Sequence, residues 1–448
     1  MKRRSFKKGV HPNDSKELSR DVAIRTVEAG DIMVYPLIQH IGAPAKAIVA
    51  VGDRVLKGQM IAKESAFVSS PIFSAVSGTV KALEKRPSAN GIKIDCIVIQ
   101  NDHLDEAVEG FGEERSLEEI PYSEIAKKIA KSGCVGLGGA GFPTIVKLTP
   151  KNIPGIDTLI INGAECEPYL TSDYRIMLER GDEIVKGIEA GLRLLPNAKA
   201  VIAIEDNKPE AIKIMNEKIA GKEKISVVPL KTKYPQGGER QLIYAVTGRK
   251  INSKMLPADK GCIVVNIASC YAIYEAIYKN MPLVHRVMTI TGEGANSPCN
   301  LDVPIGISHQ EVLDAAGGAK ENVVKFVSGG PMMGIAISHL DTPVVKTSSS
   351  ILAFTQDDVA AVQETACIRC GRCASACPQI LVPQMMAKAV KNYEFERFDT
   401  LGGMECMECG SCTYVCPAKI PLTQYFKFGK ARVKKLAAEK KAKEGANV

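Results

Sequence analysis

The sequence predicts a multidomain α/β and β protein that ends in a small helical domain built around cysteines. Three observations carry that prediction. Short β-like runs at close, regular spacing occupy residues 32–99. Helical and strand-like patterns then alternate from residue 122 to residue 285. Residues 367–417 contain two cysteine runs of the same spacing.

A chain of 448 residues should hold about three or four domains. Its 45% hydrophobic content fits a globular protein. The net charge of +8 gathers at the two ends. Lys2, Arg3, Arg4, Lys7 and Lys8 crowd the start, and residues 427–443 form a basic, helix-like stretch within a tail at 426–448. No nucleic-acid motif accompanies this charge, so it points to an anionic membrane face or an acidic partner. Six cysteines lie outside the two runs (Cys96, Cys134, Cys166, Cys262, Cys270 and Cys299) and form no disulfide-like framework. That usage suggests a reducing cytoplasm. The start lacks the apolar segment of a signal peptide. No apolar run approaches the ~18–20 residues that span a bilayer, so any membrane role is one of docking.

Taken in order, residues 1–30 read as an irregular leader, with turn chemistry at His11-Pro12-Asn13-Asp14. Residues 31–110 read as a compact β domain. Its runs fall at 32–38, 47–51, 60–62, 78–83 and 92–99, and turns lie at Val51-Gly52-Asp53, Leu56-Lys57-Gly58 and Ser77-Gly78.

An α/β domain is expected over 120–285. A helix at 123–132 carries the stripe Ile125 and Ile129 and is capped by Gly133. Gly136-Leu137-Gly138-Gly139-Ala140-Gly141-Phe142-Pro143-Thr144 follows. It matches G-x-G-x-x-G in form, but it follows a helix rather than the strand of a dinucleotide fold. Four glycines within six residues still let backbone amides approach a phosphate or a flat ring, and the helix start beyond favours an anion. The buried strand at 158–161 runs into Asn162-Gly163-Ala164-Glu165-Cys166-Glu167-Pro168. Further helices are expected at 183–195 and 208–218, and further strands at 200–204, 225–229 and 262–267. Tyr234-Pro235-Gln236-Gly237-Gly238-Glu239-Arg240-Gln241 opens another helix, and Asn266 and Ser269 close the last strand. Strand end, polar cluster and helix start thus recur in three loops, where ligands of open α/β sheets sit.

Residues 286–345 read as a small β-rich unit with a helix at 309–316, glycine turns at Gly292-Glu293-Gly294, and Gly329-Gly330-Pro331-Met332-Met333-Gly334. Thr347-Ser348-Ser349-Ser350 reads as a linker into a cysteine domain at 351–425.

The cysteine runs are Cys367, Cys370, Cys373, Cys377-Pro378 and Cys406, Cys409, Cys412, Cys416-Pro417. Both have the spacing C-x2-C-x2-C-x3-C-P, the ferredoxin run for two 4Fe–4S clusters, in which the fourth cysteine ligates the other cluster. Cys367, Cys370, Cys373 and Cys416 are therefore assigned to one cluster, and Cys377, Cys406, Cys409 and Cys412 to the second. Paired CxxC also binds zinc or forms disulfides; two complete copies, each with its proline, favour clusters. Arg369 and Arg372 flank the first run, and Glu405 and Glu408 the second. On charge alone the first cluster should have the higher potential.

The motifs carry two resemblances. Val51-Gly52-Asp53, Gly58, Ser70-Pro71 and Ser77-Gly78-Thr79-Val80 resemble the barrel-sandwich hybrid of biotinyl and lipoyl carriers; no lysine lies between Glu64 and Lys81, so a swinging arm is not expected. Residues 138–147, Asn162 to Pro168, Gly237-Gly238-Glu239 and Asn266 to Ser269 look like the FMN- and NADH-binding subunit of respiratory complex I. With the front β domain and the twin ferredoxin runs, the chain resembles the RnfC family of the Rnf electron-transport complex along nearly its whole length. That resemblance implies a complex I flavin-subunit-like α/β domain at 120–285 and a β-grasp, SLBB-like domain at 286–345. It further implies that the amides of Gly136, Gly138, Gly139 and Gly141 cradle FMN, with Lys147 nearby. Asn162, Glu165, Asn266 and Ser269 would bind the flavin or its phosphate, Phe142 would stack on adenine, and Glu167 and Glu239 would hold NAD(H). Ala164, Leu137 and a single Glu239 in place of a Glu-Glu pair depart from the complex I pattern. The implied role is electron input, between NAD(H) and a ferredoxin-like subunit, in an ion-translocating complex on the cytoplasmic face of the membrane. Cobalamin reductases of diol-utilisation compartments resemble the same family, and a nucleotide-free electron conduit or assembly subunit is the reading from a different class.

Overall fold

Four sheets and a terminal helical domain organise the chain, and the computed structural model describes residues 4–357 and 361–445. The leader supplies one short strand, β1 (Arg25–Thr26). The front domain comprises β2 (Ile32–Pro36), β3 (Lys46–Ala47), β4 (Arg54–Val55), β5 (Met60–Lys63), β6 (Ile72–Phe73), β7 (Gly78–Pro87) and β8 (Lys93–Asn101). They form a four-stranded sheet, β2-β8-β7-β4, and a three-stranded sheet, β3-β5-β6. The run expected at 47–51 is strand only at Lys46–Ala47. Beyond it the Asp53 carboxylate accepts from the Ala50 N–H at 2.7 Å and closes a turn.

The α/β domain contains α1 (Tyr122–Lys131), α2 (Thr144–Leu148), β9 (Thr158–Gly163), α3 (Ser172–Glu179), α4 (Gly181–Leu194) and β10 (Lys199–Glu205). It continues with α5 (Pro209–Lys218), β11 (Ile225–Leu230), α6 (Glu239–Thr247), β12 (Cys262–Asn266) and α7 (Ile267–Tyr278). Its sheet runs β11-β10-β9-β12 with every pair parallel. Leu159, Ile160 and Ile161 of the central strand are buried, as expected of a strand covered on both faces. Helices α4 and α7 meet at Gly187, where an added Cβ would lie 1.9 Å from the Cys270 carbonyl oxygen. Only glycine permits that approach.

The next unit contains β13 (His285–Thr291), β14 (Cys299–Pro304), α8 (His309–Ala315), β15 (Lys325–Ser328), β16 (Ile335–Ile337) and β17 (Ser350–Phe354). Its sheet is six-stranded, β1-β14-β13-β17-β15-β16. Two expectations are corrected here. The leader is not merely irregular, because β1 pairs in parallel with β14. The serine-rich stretch is not a linker into the cysteine domain. Ser348 turns the chain by bonding Val345, and Ile351, Leu352 and Ala353 are fully buried in β17, between β13 and β15. Burial of apolar side chains outweighs the turn chemistry of the serines before them.

The helical domain contains α9 (Arg372–Ala376), α10 (Pro383–Lys391), α11 (Phe395–Thr400), α12 (Ser411–Tyr414) and α13 (Leu422–Gly445). Met386, Val390, Phe398, Leu422 and Phe426 make its core, with the Phe398 and Phe426 rings stacked at 6.2 Å. The basic tail is no separate piece; it continues α13, whose first turns are anchored in that core. Among the described residues no helix is long and apolar enough to cross a membrane.

Buried Lys346 ties three units together. Its ammonium donates to Ser70 Oγ (3.1 Å) and the Pro71 carbonyl (2.6 Å) of the front domain and to the Gly133 carbonyl (2.8 Å) of the α/β domain.

Candidate cofactor-binding site

The glycine loop lies beside the C-terminal ends of β9 and β12. Val135 bridges Pro143 across its base, and the Gly136 N–H donates to the Phe142 carbonyl at 2.9 Å. Gly138 abuts Asn266, whose Nδ2 would lie 2.7 Å from an added Cβ. A Cβ at Gly139 would meet nothing within 4 Å, so the loop is open to a ligand there.

Most of the predicted polar residues hold these loops in place. Ser269 Oγ donates to the Val135 carbonyl (3.0 Å) and accepts from the Leu137 N–H (2.9 Å), propping the glycine loop from within. Asn266 caps α7 by accepting from the Ala268 N–H and donates to Asp173 at 2.7 Å. Asn162 donates to the Gly237 carbonyl at 3.0 Å, joining the loops after β9 and β11. Lys147 donates to the Val264 carbonyl and pairs with Glu239 at 3.3 Å. Phe142 is half-buried at the loop's exit.

The two acidic residues of the 162–168 loop are buried. Glu165 has a left-handed backbone, φ 47°, and one oxygen accepts from the Asp173 N–H at 2.7 Å. Its other oxygen has no hydrogen-bond partner, although the Lys16 ammonium lies 3.9 Å away. Burial pushes this carboxyl up to about 7. Glu167 accepts from the Tyr234 hydroxyl (3.3 Å) and the Met332 N–H (3.1 Å), and burial raises it to about 7 as well. Glu167 therefore bridges the α/β and β-grasp units.

Four buried polar atoms on these loops and the helix starts that follow them lack partners: Glu165 Oε2, Thr144 Oγ1, Gln236 Nε2 and Gln241 Oε1. Unpaired buried polar atoms are costly, and a polar ligand that reached them would offset that cost. The open glycine loop and this mixture of donors (Thr144 Oγ1, Gln236 Nε2) and acceptors (Glu165 Oε2, Gln241 Oε1) suit the ring edge of FMN, which carries both.

The second cysteine set is assembled in space as the motif spacing predicts. Cys377, Cys406, Cys409 and Cys412 line one cavity with Pro378, Met407 and Phe426. Burial, then the neighbouring thiols, push the Cys406 and Cys412 thiols up to about 12. The first set is more open. Cys373 and Cys416 are half-buried and within each other's electrostatic reach, whereas Cys367 and Cys370 are exposed.

The two sites meet across an apolar seam. Val10, Tyr234, Ala376 and Cys409 form a buried cluster, with Cys166, Met332, Met407 and Val415 packed on it. Arg240 pairs with Glu405 at 2.8 Å, and Glu405 also accepts from the Ser253 N–H at 2.8 Å. Lys430 pairs with Glu408 at 2.6 Å. The charge contrast read from the sequence is therefore weakened: both acids of the second run are neutralised by partners from elsewhere in the fold.

Several site-forming residues escaped the sequence reading. Lys208 donates to the Ala164 carbonyl at 2.7 Å and lies 3.6 Å from Glu205. It follows a strand end, so the rule that found residues 162–168 applies to Glu205-Asp206-Asn207-Lys208 too. Gln236 and Gln241 lie inside a stretch already singled out. Lys16 lies in the leader and carries no periodic or motif signal.

Loops suited to FMN, packed against a dicluster ferredoxin domain, define an iron–sulfur flavoprotein of electron transfer. Family models bear this out. Residues 129–275 match the Nuo51 FMN-binding domain and residues 366–420 a 4Fe-4S dicluster domain. Residues 4–104 match the RnfC barrel sandwich hybrid domain and 287–336 the SLBB domain. The C subunit of the proton-translocating ferredoxin:NAD(+) oxidoreductase complex of Clostridium ljungdahlii is 45% identical, over 98% of this chain and 96% of its own. Its Na(+)-translocating counterpart from Acetobacterium woodii is 37% identical over 97% of this chain and 98% of its own. The C subunit of the ion-translocating oxidoreductase complex of Rhodobacter capsulatus is 40% identical over 97% and 84%. The chain belongs to this RnfC family.

Proposed function

We propose that the chain is the peripheral electron-input subunit of a membrane-bound, ion-translocating ferredoxin:NAD oxidoreductase complex. The observation that carries this is the apolar seam in which Tyr234 and Cys166 of the α/β domain pack with Cys409 of the inner cysteine set. When bound, FMN and the clusters supply the conversion between two-electron hydride chemistry and single-electron transfer. The protein supplies binding, orientation and exclusion of water. Gly136, Gly138, Gly139 and Gly141 line the flavin, with Glu165, Thr144, Gln236 and Gln241 offering polar atoms to it. Ser269, Asn266 and Asn162 fix the loops. Glu239, half-exposed and paired with Lys147 at 3.3 Å, is the carboxylate open to a nicotinamide nucleotide, and half-buried Phe142 is the ring offered for stacking. Glu167 is committed to Tyr234 and Met332 and acts as a bridge.

Cys377, Cys406, Cys409 and Cys412 hold the inner cluster. Cys367, Cys370, Cys373 and Cys416 hold the outer one, open to a ferredoxin-like subunit of the complex on the cytoplasmic face of the membrane. An anaerobic NADH titration of the full-length, cluster-reconstituted protein with FMN tests this reading. Flavin bleaching followed by the EPR signal of a reduced cluster is the expected result. Reduction by dithionite but not by NADH would contradict it.

A further inference from the structure

Residues 4–19 run across the cofactor site and touch both of its halves. Arg4 exchanges backbone hydrogen bonds with Pro229 and Lys231 beside β11, and its guanidinium donates to the Val246 carbonyl. Val10 and Tyr234 exchange both backbone hydrogen bonds at 2.9 Å. Between these anchors the segment reaches the helical domain. The Lys8 ammonium donates to the Ala374 carbonyl at 2.7 Å, and the Gly9 N–H to the Ala376 carbonyl at 3.1 Å. Gly9 has a φ of 84°, and an added Cβ would lie 2.5 Å from the Tyr234 carbonyl oxygen, so the crossing requires glycine.

Beyond Val10 the segment passes under the loop after β9. The Asp14 carbonyl accepts from the Tyr169 N–H at 2.6 Å. The Lys16 ammonium donates to the Glu167 carbonyl at 2.9 Å and to the Leu170 carbonyl, and it lies 3.9 Å from Glu165. Ser19 and Thr171 share a hydroxyl hydrogen bond at 2.8 Å. Lys208 also holds the loop, donating to the Ala164 carbonyl at 2.7 Å. The loop so gripped contains two non-glycine residues in the left-handed region, Glu165 at φ 47° and Tyr169 at φ 69°. Such conformations persist only where the surroundings over-determine them. A buried lysine is likewise costly unless its ammonium is fully used. Lys16 is 4% exposed, and its ammonium is committed to this loop.

We infer that residues 4–19 form a strap across the flavin and inner-cluster sites, and that Lys16 is a positioning residue for flavin binding, holding the 164–170 loop in its binding conformation. The inference rests on the flavin reading of that loop.

Two measurements on the full-length, cluster-loaded protein test it. In the first, FMN affinity is compared between wild type and Lys16→Met, with cluster EPR intensity as the check on folding. Loss of both hydrogen bonds that the ammonium gives the loop predicts FMN binding at least on the order of tenfold weaker, together with faster amide exchange at residues 163–171 before FMN is added. Unchanged affinity and unchanged exchange would overturn the inference. The second measurement uses wild type alone. Adding FMN should slow amide exchange in residues 10–19 as well as in 163–171. Strap amides that exchange identically with and without FMN would overturn the inference even where the variant does not fold. Failure of wild type to bind FMN would instead remove the flavin reading itself.

Discussion

The two cysteine sets have the same spacing in the sequence and different surroundings in the fold. The inner set lines a cavity walled by Met407 and Phe426, and three of its four thiols are buried. The outer set leaves Cys367 and Cys370 exposed. The inner set is held against the α/β domain by the seam around Tyr234 and Cys166, by the Arg240–Glu405 pair and by the strap. Among the described residues no comparable contact covers Cys367 and Cys370, where the run's own Arg369 is exposed too. A repeated motif specifies what is bound; only its neighbours assign the two copies to inward and outward roles.

The sharpest separation comes from Cys370→Ser. It should abolish reduction of an external ferredoxin-type acceptor while NADH still bleaches the flavin and reduces the inner cluster, read by acceptor absorbance and EPR. Loss of inner-cluster reduction as well would break the comparison.

The next effect concerns stability on the inner side of the seam. Glu167 is raised to about 7 in the fold, so its native site favours the protonated form. The stability it contributes is full below its unfolded value and is lost as pH rises through about 7, by up to on the order of 3 kcal/mol. Glu167→Gln should remove that loss. Urea unfolding of the variant should then differ less between pH 5 and pH 7.5 than that of wild type.

A smaller effect is expected of Glu405→Gln, which weakens the part-buried pair with Arg240. The cost should be about 1 kcal/mol and should shrink with added salt, as partly exposed ion pairs do. Slower reduction of the inner cluster by NADH, measured by stopped flow, would place that cost at the seam. Smallest is Arg369→Glu. The side chain is exposed, so the outer cluster's potential should fall by on the order of 30 mV at low salt and less at high salt. A shift of the inner cluster instead would reverse the assignment of the two sets.

Much of this was legible in the sequence. The parallel strands were expected at 158–161, 200–204, 225–229 and 262–267, within a residue or two of where they lie, and the cysteine spacing alone grouped the inner four thiols. The serine-rich stretch at 347–350 misled, because local turn chemistry says nothing of the buried strand it leads into. The charge contrast between Arg369/Arg372 and Glu405/Glu408 is smaller in the fold than in the sequence, because Arg240 and Lys430, which pair with the acids, are non-local. Lys16 was invisible for the same reason. It lies 149 positions before Glu165, and only the assembled fold shows why a lysine should be buried there.

Rapid-freeze EPR after mixing with NADH, comparing wild type with Cys409→Ser/Cys412→Ser, shows whether electrons reach the outer cluster through the inner one. The double variant removes two inner thiolates and leaves the outer set intact. NADH should then fail to reduce the outer cluster, although dithionite still does. An outer cluster reduced by NADH at the wild-type rate would contradict that route.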